Sequence, residues 1–153
     1  MIAERVIEIC RYDPDKDVLP YMQCFEVDID RSDRIVPDVL VRLKSVDESI
    51  SLRRSCREGT RGSSAINING AKRPACQTSM KELPSRIILR LLPGLPVIRD
   101  LIVDMMSLFQ RYPSKMPYLI NDTPPSPGRE RLQSPEERAQ LDGLYECCSS
   151  TRP

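Results

Sequence analysis

The stretch from residue 2 to residue 44 sets the tightest limit on the fold: two strand-patterned runs flank a turn, and an amphipathic helix follows. In "IAERVIEICRY" the apolar residues Val6, Ile7, Ile9 and Tyr12 alternate imperfectly with polar ones, as in a half-buried strand. Asp13-Pro14-Asp15 is turn chemistry, and "YMQCFEVDI" is a second strand-like run, so a hairpin opens the chain. From Arg34 to Lys44, Val36, Val39, Leu40 and Leu43 fall at helical spacing, with Pro37 tolerated in the first turn. The runs "INING", closed by Gly70, and "RIILRLLP", ending at Pro93, add two more strands. Strands segregated from helices in this way define an α+β domain. Further on, Val97, Ile98, Leu101, Ile102, Met105, Leu108 and Phe109 keep helical spacing and predict a packed helix of about three turns.

The segment Tyr118 to Gly128, "YLINDTPPSPG", has no periodicity and reads as a semi-rigid linker. Beyond it, Ser134, Pro135 and Glu137 form a helix start, with serine as N-cap, proline first in the helix and glutamate reciprocating the cap. Leu141, Leu144 and Tyr145 give that short helix one apolar face, which needs a surface to pack on.

Charge and composition exclude several functions. Lys and Arg total 23 against 22 Asp and Glu, so no net basic field recruits nucleic acid, and a protein partner is expected. No apolar run reaches the roughly 20 residues of a membrane-spanning helix, and "MIAERVIEIC" lacks the order of a signal peptide, which predicts a cytosolic or peripherally attached chain. Histidine is absent, removing the commonest general base, His-dependent nucleophile pairs and every His-containing zinc site. The six cysteines stand at 10, 24, 56, 76, 147 and 148. Without a secretion signal they do not read as a disulfide framework. Cys10 and Cys24 sit in apolar, strand-like context and are expected to be buried thiols.

Cys56 and Cys76 have the glycine-bearing or polar surroundings that metal-binding thiolates need. A plant-type 2Fe-2S loop runs C-x4-C-x2-C with a distant fourth cysteine. Starting from Cys56, that spacing falls on Arg61 and Ser64, with Cys76 as the distant ligand. Spacing alone therefore leaves open a pair of loop cysteines without metal.

The words around the spacing are more specific. "RRSCREGTRGSSAINING", "ACQT", "LPGLPVIRDLIVDM", "PYLIND" and "LQSPEERAQLDGLYEC" resemble, in order, the iron-sulfur subunit of bacterial succinate dehydrogenase, over about Arg11 to Cys147. The resemblance implies a β-grasp, ferredoxin-like 2Fe-2S domain over residues 1–106, a linker over 107–133 and a helical stub over 134–153 matching the start of the family's second domain. In the family that second domain holds 4Fe-4S and 3Fe-4S clusters, and the subunit passes electrons from the reduced FAD of the flavoprotein subunit toward ubiquinone at the membrane-anchor subunits.

Carried over by position, Cys56 and Cys76 match the first and last 2Fe-2S ligands, while Arg61 stands for the second cysteine and Ser64 for an aspartate or cysteine. Gly59 and Gly62 are kept, so the loop's bends are expected to persist. A protonated guanidinium has no lone pair for iron, and a serine hydroxyl gives up its proton far less readily than a thiol. An alternative use of Arg61 is to fill the vacated position with its guanidinium, hydrogen-bonded to loop carbonyls, in a metal-free loop of similar shape. Arg53, Arg54 and Arg57 lie in a stretch that, in the family, is near the flavoprotein interface; solvated loop arginines are the equal alternative. The family continues after "LDGLYEC" with further cysteines, whereas this sequence reads "CSSTRP", so the 4Fe-4S and 3Fe-4S ligands are expected to be missing and Cys147 and Cys148 to be exposed thiols.

Two functions follow from the resemblance. One is an impaired electron-relay subunit of succinate dehydrogenase, not catalytic alone, peripheral to the inner membrane on the cytoplasmic side through its partners. The membrane-anchor subunits would be contacted only if another chain supplies the missing cluster domain. The other is a non-redox, flavoprotein-binding or assembly-related paralogue with no stable cluster.

Overall fold

A computed structural model describes residues 3–115, 124, 127–130 and 132–141. The opening hairpin forms as its pattern predicts: β1 (Ala3–Arg11) pairs antiparallel with β2 (Tyr21–Ile29). Helix α1 (Val36–Val46) follows, with Pro37 in its first turn and the Asp38 carboxylate accepting from the Arg34 and Ile35 N–H groups. β3 (Ala65–Ile68) and β4 (Ala71–Pro74) form a second hairpin that turns through Asn69 and Gly70, both at positive φ. β5 (Arg86–Arg90) then enters the middle of the sheet, parallel to β1 and antiparallel to β3. The strand order is β2-β1-β5-β3-β4.

The core lies between α1 and one face of this sheet. Ile7, Ile9, Ile68, Ile87 and Leu89 are contributed by the three central strands, and Val36, Val39, Leu40 and Leu43 by the helix. Ile50, Met80 and Leu101, from outside these elements, join the cluster.

Residues 97–109 depart from the helical expectation. Val97–Arg99 and Ile102–Val103 are strands β6 and β7, a small antiparallel hairpin, and α2 begins only at Met106. The same apolar residues satisfy both periods over so short a run, and Asp100 decides between them. Its φ of 47° lies in the left-handed region, which ends any right-handed helix there. Its carboxylate, 2% exposed, accepts from Arg11 Nε at 3.0 Å, Tyr12 N at 3.0 Å and Ser51 N at 2.7 Å. These three bonds fix the β6–β7 turn against the end of β1.

Arg11 is the other half of that buried junction. Its Nη1 donates to Asp47 Oδ2 at 3.1 Å and to Gln23 Oε1, and its Nη2 donates to Ser49 Oγ at 2.7 Å. The Ser49 hydroxyl, Arg11, the Ser49 N–H and Gln23 together hold the Asp47 carboxyl down to about 2, with desolvation opposing them. A carboxyl depressed below its unfolded value of about 3.9 stabilises the fold above that pH, and the contribution is lost as pH falls through about 2. Urea midpoints should therefore drop between about pH 4 and pH 2, and Asp47→Asn should flatten this part of the profile.

Cys24 is exposed and Cys10 only half-buried, against the expectation that both are buried. β2 is an edge strand, and residues 22, 24, 26 and 28 face away from the helix side that Val27 faces. Cys10 shares that outer face on β1, opposite Met22, and its partial burial pushes its thiol up.

Residues 105–147 form a compact unit of their own. It contains α2 (Met106–Lys115) and α3 (Pro135–Leu141). The reciprocal cap of α3 is present: Glu137 N donates to Ser134 Oγ at 3.1 Å and Ser134 N to Glu137 Oε2 at 2.9 Å. The apolar face at Leu144 and Tyr145, the thiols of Cys147 and Cys148, and most of the Tyr118–Gly128 segment lie outside the described residues. No described helix is long and apolar enough to cross a membrane.

Candidate functional site: a glycine-bent cysteine loop

Between α1 and β3 the chain makes a series of tight bends with little regular structure. Arg57, Gly59 and Gly62 have φ of 66°, 78° and 63°, so the backbone reverses repeatedly within a few residues. These reversals aim amides inward. The backbone N–H groups of Glu58, Arg61 and Thr60 point at the Cys56 sulfur and hold its thiol below its ordinary range, and the Arg61 charge adds a smaller effect in the same direction. Such a nest of donors favours negative charge on sulfur.

A side chain at Gly59 would also meet an exposed, flexible neighbour. A Cβ built there would lie inside the Gln77 side-chain amide, whose Nε2 donates to Glu58 O at 3.4 Å. Gly70, at φ 87°, has open space around it. Gly59→Ala and Gly70→Ala should each cost about 1–2 kcal/mol for handedness, because the exposed Gln77 amide can swing away from a new Cβ at little cost. Urea unfolding should show similar losses for the two variants, and adding Gln77→Ala should change either by no more than about 0.5 kcal/mol.

The structure brings Ser64 and Cys76 together. Ser64 Oγ donates to Cys76 Sγ at 3.0 Å, and Ala75 N donates to Ser64 O at 3.0 Å, so the start of β3 and the turn after β4 are stitched at the ligand-matching positions. Cys76 is buried and Cys56 half-buried. Among the described residues Arg61 donates to no loop carbonyl, against the expectation for its guanidinium. Its Nη1 donates to Ser55 Oγ at 2.8 Å, beside Cys56 in sequence. Arg57 reaches out of the loop to Asp38 at 2.6 Å, tying it to the first turn of α1, and Arg53 donates to Val103 O at 3.2 Å. Ser55, Gln77 and Asp38 are the supporting residues that sequence reasoning missed. Only the close neighbourhood of Ser55 to Cys56 and of Gln77 to Cys76 could have pointed to two of them.

The backbone of this loop suits an iron-sulfur cluster, but its side chains do not. Two thiols and one hydroxyl are available, and the remaining position is a cation without a lone pair. Among the described residues no three His, Cys, Asp or Glu side chains come together as a metal-binding group.

A mixed sheet crossed by one helix, with a bent loop whose amides surround a cysteine sulfur, defines a ferredoxin-like iron-sulfur domain. The sequence profile of the family described as "2Fe-2S iron-sulfur cluster binding domain" matches residues 6–110, and the chain belongs to that family. It is 50% identical over 151 residues to the succinate dehydrogenase iron-sulfur subunit of Coxiella burnetii, covering 95% of this chain and 64% of the relative. With the corresponding subunit of Paracoccus denitrificans it shares 40% identity over 155 residues, covering 97% and 60%. Among solved structures it is similar to a chain of the Mycobacterium smegmatis Sdh1 complex in the apo form, with a TM-score of 0.68 and 25% identity over 87% of this chain and 55% of that one. The chain thus spans under two thirds of the length of these relatives.

Proposed function

We propose that this chain acts as the 2Fe-2S-type domain of a succinate dehydrogenase iron-sulfur subunit, seated against a flavoprotein subunit in a complex that moves electrons from reduced FAD toward ubiquinone. Its own part in the relay is impaired, because the Arg61 and Ser64 side chains leave the ligand set incomplete. The observation that carries this reading is the 50% identity to a named subunit of that enzyme over nearly the whole chain, together with a loop whose amides still converge on Cys56. The ferredoxin-like domain over residues 1–106 supplies the flavoprotein-facing surface, residues 107–133 link it onward, and residues 134–153 begin a second, helical region. Cys56, Cys76, Gly59 and Gly62 are the cradle residues, with Ser64 as the one oxygen donor. The complex would hold the chain peripheral to the inner membrane, on the cytoplasmic side, and membrane-anchor subunits would be contacted through whatever chain carries the further clusters.

The second reading, a flavoprotein-binding or assembly-related protein with no cluster, is favoured by two specific contacts. The Ser64–Cys76 and Arg61–Ser55 hydrogen bonds close the loop on itself without metal.

Co-expression with the flavoprotein subunit of a bacterial succinate dehydrogenase tests both. Co-purification as a stoichiometric complex is expected, and failure to co-purify would remove the partner assignment common to the two readings. Electron paramagnetic resonance of the reduced complex then separates them. A 2Fe-2S signal assigns a working relay, and its absence in a stable complex assigns the non-redox role.

A further inference from the structure

Away from the cysteine loop, a cavity of about 580 Å³ opens between the end of β2, the segment 30–35 and the turn at 79–81. Its lining includes Arg5, Arg31, Arg34 and Lys81, against Asp30 and Asp33. The acids are already engaged. Asp33, buried, binds Arg42 Nη2 at 2.6 Å and accepts from Asp30 N at 2.9 Å. The Asp30 carboxylate is spent within its own turn, accepting from Arg31 N and Ser32 Oγ. The four cations, by contrast, make no ion pair among the described residues. Arg5 is half-buried, and its Nη1 is held by the carbonyls of Met80 and Leu83. That anchoring fixes the plane of the guanidinium while its other nitrogens make no described hydrogen bond to protein.

The whole chain is close to neutral, with 23 basic and 22 acidic residues, so this concentration of unpaired positive charge is local and not a consequence of composition. Like charges around a concave, low-dielectric wall repel one another and focus a positive potential into the space. A counter-charge placed there relieves that repulsion. A guanidinium held in one plane matches a carboxylate by two parallel hydrogen bonds, and flexible cations at the rim suit further carboxylates on the same ligand. The volume lies within the roughly 300–1,000 Å³ of ligand sites.

We propose that this cavity binds a polycarboxylate, with Arg5 as the oriented contact and Arg31, Arg34 and Lys81 closing on the remaining charge. The carboxylates could be those of a free small molecule or of an acidic segment on a partner protein, and the chemistry of recognition is the same.

Isothermal titration of the full chain with citrate, and separately with a hexaglutamate peptide, at constant ionic strength tests the assignment. Saturable one-to-one binding of at least one probe is expected. Arg34 and Lys81 are exposed and their side chains make no hydrogen bond or ion pair among the described residues, so the double variant Arg34→Ala/Lys81→Ala should fold normally and weaken binding at least tenfold. Arg5→Lys keeps the charge but loses the fork, and should weaken binding several-fold. Arg73→Ala, an exposed cation on β4 outside the cavity, should change nothing. Tighter binding of the peptide assigns a partner-borne acid, and tighter binding of citrate a free one. No saturable binding of either probe, or equal weakening by Arg73→Ala, would overturn the site. Neither flavoprotein nor cluster is present in this assay, so its outcome is separate from that of the proposed function.

Discussion

Asp100→Ala should destabilise the sheet domain by about 3–5 kcal/mol, the range for removing one partner of a buried ion pair. The Asp100 carboxylate receives Arg11, the Tyr12 N–H and the Ser51 N–H, so the variant removes one of the two carboxylates that a buried cation pairs with and leaves two backbone donors without their acceptor. Asp47, more exposed, still pairs with Arg11 at 3.1 Å, but the Tyr12 and Ser51 N–H groups have only Asp100 as their acceptor. Urea denaturation monitored by far-ultraviolet circular dichroism measures the loss. Asp100→Asn keeps an acceptor while losing the charge, and should cost less than alanine. A loss under about 1 kcal/mol for Asp100→Ala would mean that water enters and replaces the carboxylate.

The second large effect concerns the ligand positions. Arg61→Cys combined with Ser64→Asp places a thiolate and a carboxylate where the loop now has a guanidinium and a hydroxyl. After anaerobic reconstitution with iron and sulfide, followed by reduction, the paired variant should show a 2Fe-2S paramagnetic signal approaching one spin per chain. The unaltered chain in isolation should show no such signal. The backbone needs little rearrangement, because the amides of Glu58, Thr60 and Arg61 already surround Cys56 and both glycines hold their left-handed bends. An equal signal from the unaltered chain would mean that Ser64 coordinates as an alkoxide and that an outside group fills the place of Arg61. Absence of signal from the paired variant would place the defect in the loop scaffold itself.

The opening hairpin, α1 and the cap of α3 were legible because each rests on local signals: alternation, helical spacing, Pro37, and the Ser134–Glu137 reciprocity. What could not be read depends on residues distant in sequence. Val97 to Val103 carries enough apolar residues for either period, and the hairpin is selected by the reach of Asp100 to Arg11 and Ser51. Cys24 looks buried within an apolar run, yet its place on an edge strand turns it to solvent. β4, "AKRP", has no apolar alternation of its own and is a strand because β3 supplies its partner groups. At the loop, the unsuitability of Arg61 for iron follows from its chemistry alone, whereas its bond to Ser55 and the seating of Gln77 under Gly59 required the fold.

The parallel pairing of β1 with β5 also governs when this domain can form during synthesis. Val6 has its register partner at Arg86, and Ile9 at Leu89, so the strand made first waits for the last strand of the sheet. At about 5–20 residues per second that wait lasts several seconds on a translating ribosome. Until then the β1–β2 hairpin has no third strand, and an isolated hairpin is marginal in water. Ile7 and Ile9, which end fully buried in the core, are exposed throughout that interval. Slowing elongation within the first 90 codons would lengthen this vulnerable period, and the yield of soluble chain should fall with it although the sequence of the finished protein is unchanged.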